Sequence, residues 1–173
     1  MRPFTGLLKD TDLKSLKGTI MHVERIVQIT AEDLFDICEL VSTIPEDVRT
    51  YNLKELSDYL TVYGTGLGMF VLVDDDNKIV GFILAERPHP LESDKGWITL
   101  AVMLSGLKKA DIDPVIEAAE SWLASGGAVR WAASSTRNLG SWKRRWKLTE
   151  FNSEKEVGRY IVSPKDKDET DPS

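Results

Sequence analysis

The chain has 173 residues, enough for one domain with a real core, and its 42% hydrophobic and 29% charged residues exclude a disordered or membrane-embedded class. Its 22 Lys and Arg against 28 Asp and Glu give a formal net charge of -6, which argues against a nucleic-acid partner. No apolar run approaches the ~20 residues needed to span a bilayer, the start Met1-Arg2-Pro3-Phe4-Thr5-Gly6 lacks a secretory apolar core, and Cys38 has no second cysteine to pair with. A cytoplasm is the expected compartment.

Residues 1–17 have only Leu7, Leu8, Leu13 and Leu16 as apolar anchors and read as an arm or a marginal helix. Within 18–28, Ile20, His22 and Glu24 alternate with Met21, Val23 and Arg25, the period of a first strand, where His22 is structural. Thr30 with Asp33 three residues on predicts a capped helix whose apolar face is Leu34, Ile37, Cys38 and Val41, ended by Pro45. Asn52 with Glu55 predicts a second, carrying Leu53, Leu56 and Leu60 inward. Gly64-Thr65-Gly66-Leu67-Gly68 has the look of a phosphate loop but precedes a strand instead of following one, so it reads as a helix-to-strand turn. The β-rich runs 70–73 and 79–84 around Asp74-Asp75-Asp76-Asn77-Lys78 predict an antiparallel hairpin. Arg87-Pro88-His89-Pro90 breaks its second strand, and 91–95 is a loop.

The apolar run 97–104 predicts a long strand, ended by Ser105-Gly106. A polar loop with Lys108 and Lys109 leads to a helix opened by Asp113-Pro114, with Val115, Ile116, Ala119, Trp122 and Leu123 on one face and Gly126-Gly127 as its stop. A strand at 128–134, a short helix carrying Trp142 and Trp146, and a last strand at 157–162 complete the order. Strands joined through helices are expected to be parallel neighbours, so with the hairpin the sheet is mixed. A strand feeding a helix through a tight loop is the usual place for an anion site, because the first helical N–H groups point outward unpaired.

With these elements in order, the chain resembles a GNAT-superfamily N-acyltransferase over residues 18–162. Ile79-Val80-Gly81-Phe82 and its hairpin resemble the family's second and third strands. Ile98-Thr99-Leu100-Ala101-Val102-Met103-Leu104 resembles the fourth, which in the family splays from the fifth and hydrogen-bonds the pantetheine arm. Residues 117–128 resemble the helix after the cofactor loop, 131–138 the fifth strand with its following Asn138, and 142–151 the closing segment. Divergent members of this kind occur among tailed-phage genes. The resemblance implies an α/β (α+β) fold: a GNAT-like mixed, mostly antiparallel twisted sheet of six to seven strands flanked by about four helices. It divides the chain into an arm (1–17), the domain (18–162) and a charged tail (163–173).

The resemblance also implies acyl transfer from acetyl-CoA, or another acyl-CoA, to an unidentified amine, with no metal. Val102, Met103 and Leu104 would hold pantetheine, Gly106, Leu107, Lys108 and Lys109 the diphosphate, and Asn138 the cofactor arm. The family's diphosphate loop reads Gln/Arg-x-x-Gly-x-Gly/Ala; here 106–114 has one glycine, at its start. Asp113, or Asp111, is placed to cap the helix and take N–H groups that a diphosphate needs. Two like charges ~5 Å apart at an effective dielectric of about 20 cost ~3 kcal/mol, which Lys108 and Lys109 would offset in part. Pro114 removes one further N–H, at a helical first turn.

Many family members protonate the leaving thiolate with a tyrosine. Trp146 stands at that position, or Arg145 with a slip of one, and Glu150 replaces the usual glycine before Phe151. An indole donates a hydrogen bond but is no acid near neutral pH. The remaining catalytic candidates are Glu86, at the end of the third strand, and His89, in the loop beyond it, either of which could take a proton from the amine. Lys143, Arg144, Arg145 and Lys147 form a basic cluster that suits a solvated helix face, the 3′-phosphate of coenzyme A or an acidic partner. Two functions follow. One is an acyltransferase in which coenzyme A and the amine are the partners. The other is an inactive GNAT-fold structural or interaction protein, with protein partners or copies of itself, such as a component of a phage virion. Neither involves nucleic acid or a membrane; the place is the cytoplasm, that of the host, or the virion for a phage product.

Overall fold

In the computed structural model the described residues are 20–49, 51–91, 94–134, 143–144, 146–150 and 156–161. The predicted arm, tail, Asn138, Trp142 and Arg145 lie outside them. The elements are β1 (His22–Ile26), α1 (Ala31–Ser42), α2 (Leu53–Tyr63), β2 (Gly68–Val73), β3 (Ile79–Glu86), β4 (Lys95–Met103), α3 (Lys109–Ser125), β5 (Arg130–Ser134), β6 (Thr149–Glu150) and β7 (Glu156–Tyr160). Single 3-10 turns occupy Glu46–Val48 and Gly64–Gly66. Among the described residues the strands form one sheet of seven in the order β1-β2-β3-β4-β5-β7-β6, and only β4 and β5 run parallel. This is the mixed, mostly antiparallel sheet expected, with three α-helices among the described residues.

Local chemistry sets the element ends. Thr30 Oγ1 accepts the Asp33 N–H at 3.1 Å while Asp33 Oδ2 accepts the Thr30 N–H at 2.9 Å, and Asn52 and Glu55 repeat the exchange at the start of α2. Each box satisfies backbone donors that a bare helix end would leave open. In the β2–β3 turn the buried Asp74 Oδ1 accepts from the Asp76 and Lys78 N–H groups at 3.0 and 2.9 Å, and Asn77 takes φ 62°. Asparagine tolerates that left-handed conformation better than most residues.

β2 is buried along its whole length because both sheet faces are covered. On one face Phe70, Leu72 and Ile98 pack with Val115, Ala119 and Trp122 of α3. On the other, Met69, Val71, Phe82 and Leu84 pack with Ile37 and Val41 of α1 and Leu60 of α2.

Several local expectations change. β1 and β2 are antiparallel although two helices join them, because a pair of helices returns the chain to the end it left. Helix α3 begins at Lys109, not after Asp113, so Pro114 lies inside it. Its missing N–H falls where Ala110 would have received a helical bond, a cost α3 absorbs through its buried face. Cys38 is half-buried, beside a fully buried Ile37. Residues 149–150 add a short edge strand on β7 that is not among the expected elements.

Candidate active site

Among the described residues β4 pairs with β5 over three residues only, Lys95 with Arg130, Gly96 with Trp131 and Trp97 with Ala132. On its other side β4 stays paired with β3 as far as Met103. The β3–β4 register shifts between Leu84, which faces Leu100, and Ala85, which faces Ile98, leaving Thr99 as the extra residue. A bulge bends its strand and adds twist. It lies two residues past the last β4–β5 pair, so it bends β4 where the two strands part.

The parting leaves β4 with an open edge. Leu104 N–H donates to Val80 O at 2.8 Å, so by the alternation of an antiparallel ladder the N–H and C=O groups of Leu104, Val102 and Leu100 face β3. Those of Ala101 and Met103 face the opening and have no ladder partner among the described residues. Of the three residues expected to hold pantetheine, Met103 offers its backbone to the gap, while Val102 is buried in the α1–α2 core. Ala101 joins Met103, a member that alternation along the long strand would have shown.

The loop after β4 is short. Gly106 takes φ 93°, a left-handed turn open to glycine at no steric cost, and Leu107 is buried as an anchor beneath α3. The Lys108 N–H donates to Asp111 Oδ2 at 2.9 Å, and the Asp111 N–H returns to Lys108 O at 3.1 Å. Asp111 therefore caps α3, while Asp113 binds Lys109 Nζ at 2.5 Å within the helix. Of the two carboxylates expected as caps, Asp111 is the one at the helix start. The Lys109 and Ala110 N–H groups open the helix without intrahelical acceptors, and the Lys108 side chain is exposed beside them.

At the other end of the opening, Glu86 Oε1 accepts from Thr99 Oγ1 at 2.7 Å and from Tyr59 OH at 3.2 Å. The bulged residue thus touches the carboxylate directly. Oε2 has no partner among the described residues. Tyr59 packs against Tyr63 with ring centroids 5.1 Å apart and planes tilted by 45°. Burial, then the neighbouring Glu86 charge and its hydrogen bond, raise the Tyr59 phenol above its ordinary range. Glu86 is a candidate from the sequence; Tyr59 and Thr99, which meet it only through tertiary contact, are not.

His89 is exposed, and its Nδ1 accepts the Leu91 N–H at 3.2 Å. Trp146 is 4% exposed in the α3-side core, with Lys109 Nζ 6.0 Å from its ring centre and its carbonyl accepting from Arg159 at 3.4 Å. This is a packing position. Of the basic cluster, Arg144 and Lys147 are exposed and Lys143 is half-buried. His22 is also exposed, 2.6 Å from Glu24.

Behind the opening, α3 is fastened to the far strands by one carboxylate. Glu120 receives Arg159 Nε and Nη2 of β7 at 2.5 and 2.9 Å and Trp131 Nε1 of β5 at 2.6 Å. Among the described residues no group of three His, Cys, Asp or Glu side chains could hold a metal ion, and no helix is long and apolar enough to cross a membrane.

An antiparallel β1–β4 sheet, a parallel pair that opens beyond a bulge, and a helix starting at the mouth of the opening make up the fold of the GNAT-family acetyltransferases. Among solved structures, the chain is similar to an acetyltransferase of GNAT family from Staphylococcus aureus Mu50, with 8% identity, a TM-score of 0.66, and 83% of this chain and 100% of that one covered. It is also similar to a GNAT family acetyltransferase from Brucella melitensis in complex with acetyl-CoA, with 15% identity, a TM-score of 0.58 and coverage of 83% and 90%. A third likeness is to the NatC complex bound to Gag peptide and CoA, with 11% identity, a TM-score of 0.60 and coverage of 80% and 94%. At such identities the likeness is one of fold. No protein-family model matches the sequence, and no curated protein matches it.

Proposed function

We propose that the protein is a GNAT-like, acyl-CoA-dependent N-acyltransferase that acylates an amine, with acetyl the simplest acyl group. The observation that carries this reading is the open β4 edge, where the Ala101 and Met103 amides have no ladder partner among the described residues. Unpaired backbone groups on a half-buried strand are costly unless a ligand or water pairs them, and the amides of a pantetheine arm would do so. Lys108 and the Lys109 and Ala110 N–H groups are suited to its diphosphate. When bound, such a cofactor supplies an activated acyl thioester. The chain's own part would be to hold the arm along β4, to exclude water beneath it with Val102 and Leu104, and to take one proton from the incoming ammonium at Glu86 Oε2; the amine nitrogen then forms the amide bond as the thioester C–S bond breaks, and its second proton goes to the departing thiolate. Thr99 and Tyr59 hold that carboxylate from its other oxygen.

One observation favours a second reading. Asp111 already takes the Lys108 N–H and Asp113 already takes Lys109, so much of the charge set against a diphosphate is satisfied internally. In that reading the fold serves as an inactive structural or interaction protein, in the cytoplasm or within a phage virion.

Calorimetry with acetyl-CoA separates the two. Saturable heat with a Kd below ~1 mM is expected, and Asp111→Asn, which removes a negative charge at the mouth, should tighten binding roughly tenfold. No heat from either protein at ~1 mM ligand leaves the second reading standing. If binding occurs, Glu86→Gln should lower turnover about 10²-fold or more with little change in cofactor affinity, as for the loss of a general base.

A further inference from the structure

The Glu86 carboxylate stands beside an indole as well as a phenol. In the β3–β4 ladder Glu86 is paired with Trp97, and the pair before it is Ala85 with Ile98. Ala85 and Ile98 both belong to the α3-side core. By the alternation of a strand, Glu86 and Trp97 therefore both project from the opposite face, where α1 and α2 pack. Side chains of directly paired residues start about 5 Å apart at Cβ. The contacts of Glu86 Oε1 with Tyr59 OH and Thr99 Oγ1 agree with that placement, since Tyr59 packs with the α1–α2 core. Tyr63, one turn further along α2, packs against Tyr59 and is 58% exposed. Each neighbour of the carboxylate keeps accessible surface: Tyr59 and Trp97 are half-buried, as is Glu86 itself, and Thr99 is exposed.

The acids at neighbouring positions are already engaged. Glu55, one turn before Tyr59, accepts the Asn52 N–H at the start of α2, and Asp58 is bound to Lys54 at 2.6 Å. Glu156 is bound to Lys95 at 3.1 Å, and the same Lys95 Nζ lies 4.5 Å from the centre of the Trp97 ring. Arg87, next to Glu86 in the chain, lies over Trp122 of the α3-side core, so it does not neutralise the carboxylate. Glu86 Oε2 has no partner among the described residues. One cation is thus drawn to Glu86, whereas further positive charge toward Trp97 would meet Lys95 in place of a second free carboxylate.

We infer that the acceptor is a small primary amine with a single positive charge on an aromatic or similarly flat apolar body, its ammonium at Glu86 and its body against Trp97, Tyr59 and Tyr63. Aromatic rings serve such a molecule twice: their faces attract an ammonium, and their area removes an apolar body from water. A polyamine finds no second free carboxylate there, and a peptide rich in lysine or arginine brings its extra charge toward Lys95. The inference rests on the acyltransferase reading for the use of the site, but not for the binding of the amine.

The test begins without cofactor. The whole protein is titrated with 2-phenylethylamine, spermidine and 2-phenylethanol at matched ionic strength, following the Trp97 indole N–H signal by nuclear magnetic resonance. The expected result is a saturable shift at millimolar 2-phenylethylamine or below, binding of spermidine weaker by roughly fivefold or more, and no saturation with the uncharged alcohol. By calorimetry, Glu86→Gln should weaken 2-phenylethylamine roughly fivefold or more, and Tyr63→Ala, an exposed change that leaves the core untouched, roughly twofold or more. Spermidine bound as tightly as 2-phenylethylamine, a Trp97 signal indifferent to the amine, or unchanged affinity in both variants would each overturn the inference. Adding acetyl-CoA separates it from the reading it rests on. Amine binding without N-acetyl product refutes the transfer and leaves the amine site standing, whereas product formed faster from spermidine than from 2-phenylethylamine refutes the acceptor class alone.

Discussion

Replacing Glu120 by alanine tests how the walls of the β4–β5 opening are held. Its carboxylate receives two N–H groups of Arg159 and the indole N–H of Trp131, joining α3 to β7 and β5 at once. The Glu120 side chain is 12% exposed and that of Arg159 28%. Removing one partner of a fully buried pair costs about 3–5 kcal/mol, but water reaches part of this guanidinium, so about 2 kcal/mol is the reasonable share. Trp131 is 1% exposed, and its orphaned N–H adds about 1 kcal/mol or more. The total, about 3 kcal/mol, corresponds to a fall in Tm of roughly 6–12 °C for a domain of this size. Urea and thermal unfolding, followed by far-ultraviolet circular dichroism, measure it. Glu120→Gln keeps an oxygen for Trp131 and should cost only about half as much. A loss below 1 kcal/mol for the alanine variant, or equal losses for alanine and glutamine, would show that the carboxylate is no more than a screened surface partner, and the reasoning would fail.

Further outcomes follow from the caps and the titrating groups. Thr30→Ala and Asn52→Ala should each destabilise by about 1 kcal/mol in chemical unfolding, and their sum should be additive because they cap different helices. Glu86→Gln should bring the Tyr59 phenol part of the way back toward 10.0, read by ultraviolet titration; an unchanged titration would break the Tyr59–Glu86 link. The return is partial because burial is the larger cause. Burial likewise raises the Cys38 thiol above 9.0. Iodoacetamide should therefore alkylate it more slowly in the native protein than in guanidinium, at pH 8. For both groups the folded state holds its proton longer than the unfolded chain. Stability is thus unaffected below about pH 9 and falls as pH rises through the thiol and then the phenol range, which alkaline unfolding curves would show.

Much of this architecture is local chemistry written along the chain. Thr30 with Asp33 and Asn52 with Glu55 announce two helix starts, because each pair satisfies its own orphan donors within four residues. The acidic turn between two β-rich runs announces the hairpin. The start of α3 was harder to read: proline suggested a first turn, whereas Asp111 and Lys108 close the helix end five residues earlier. A cap three residues from its partner outweighs a proline that buried packing can tolerate. Glu86 was legible as a carboxylate ending a strand, but not the two hydroxyls that orient it.

What the sequence alone determined is the order of elements and the faces they bury, since periodicity and capping depend on neighbours a few residues away. Tertiary structure decided where β4 leaves β5, which amides it exposes there, and how Tyr59, Glu86 and Trp97 meet. Those depend on register between segments far apart in the chain. A single extra residue at Thr99 redirects a strand, and no local pattern around that residue reports which pairing it will interrupt.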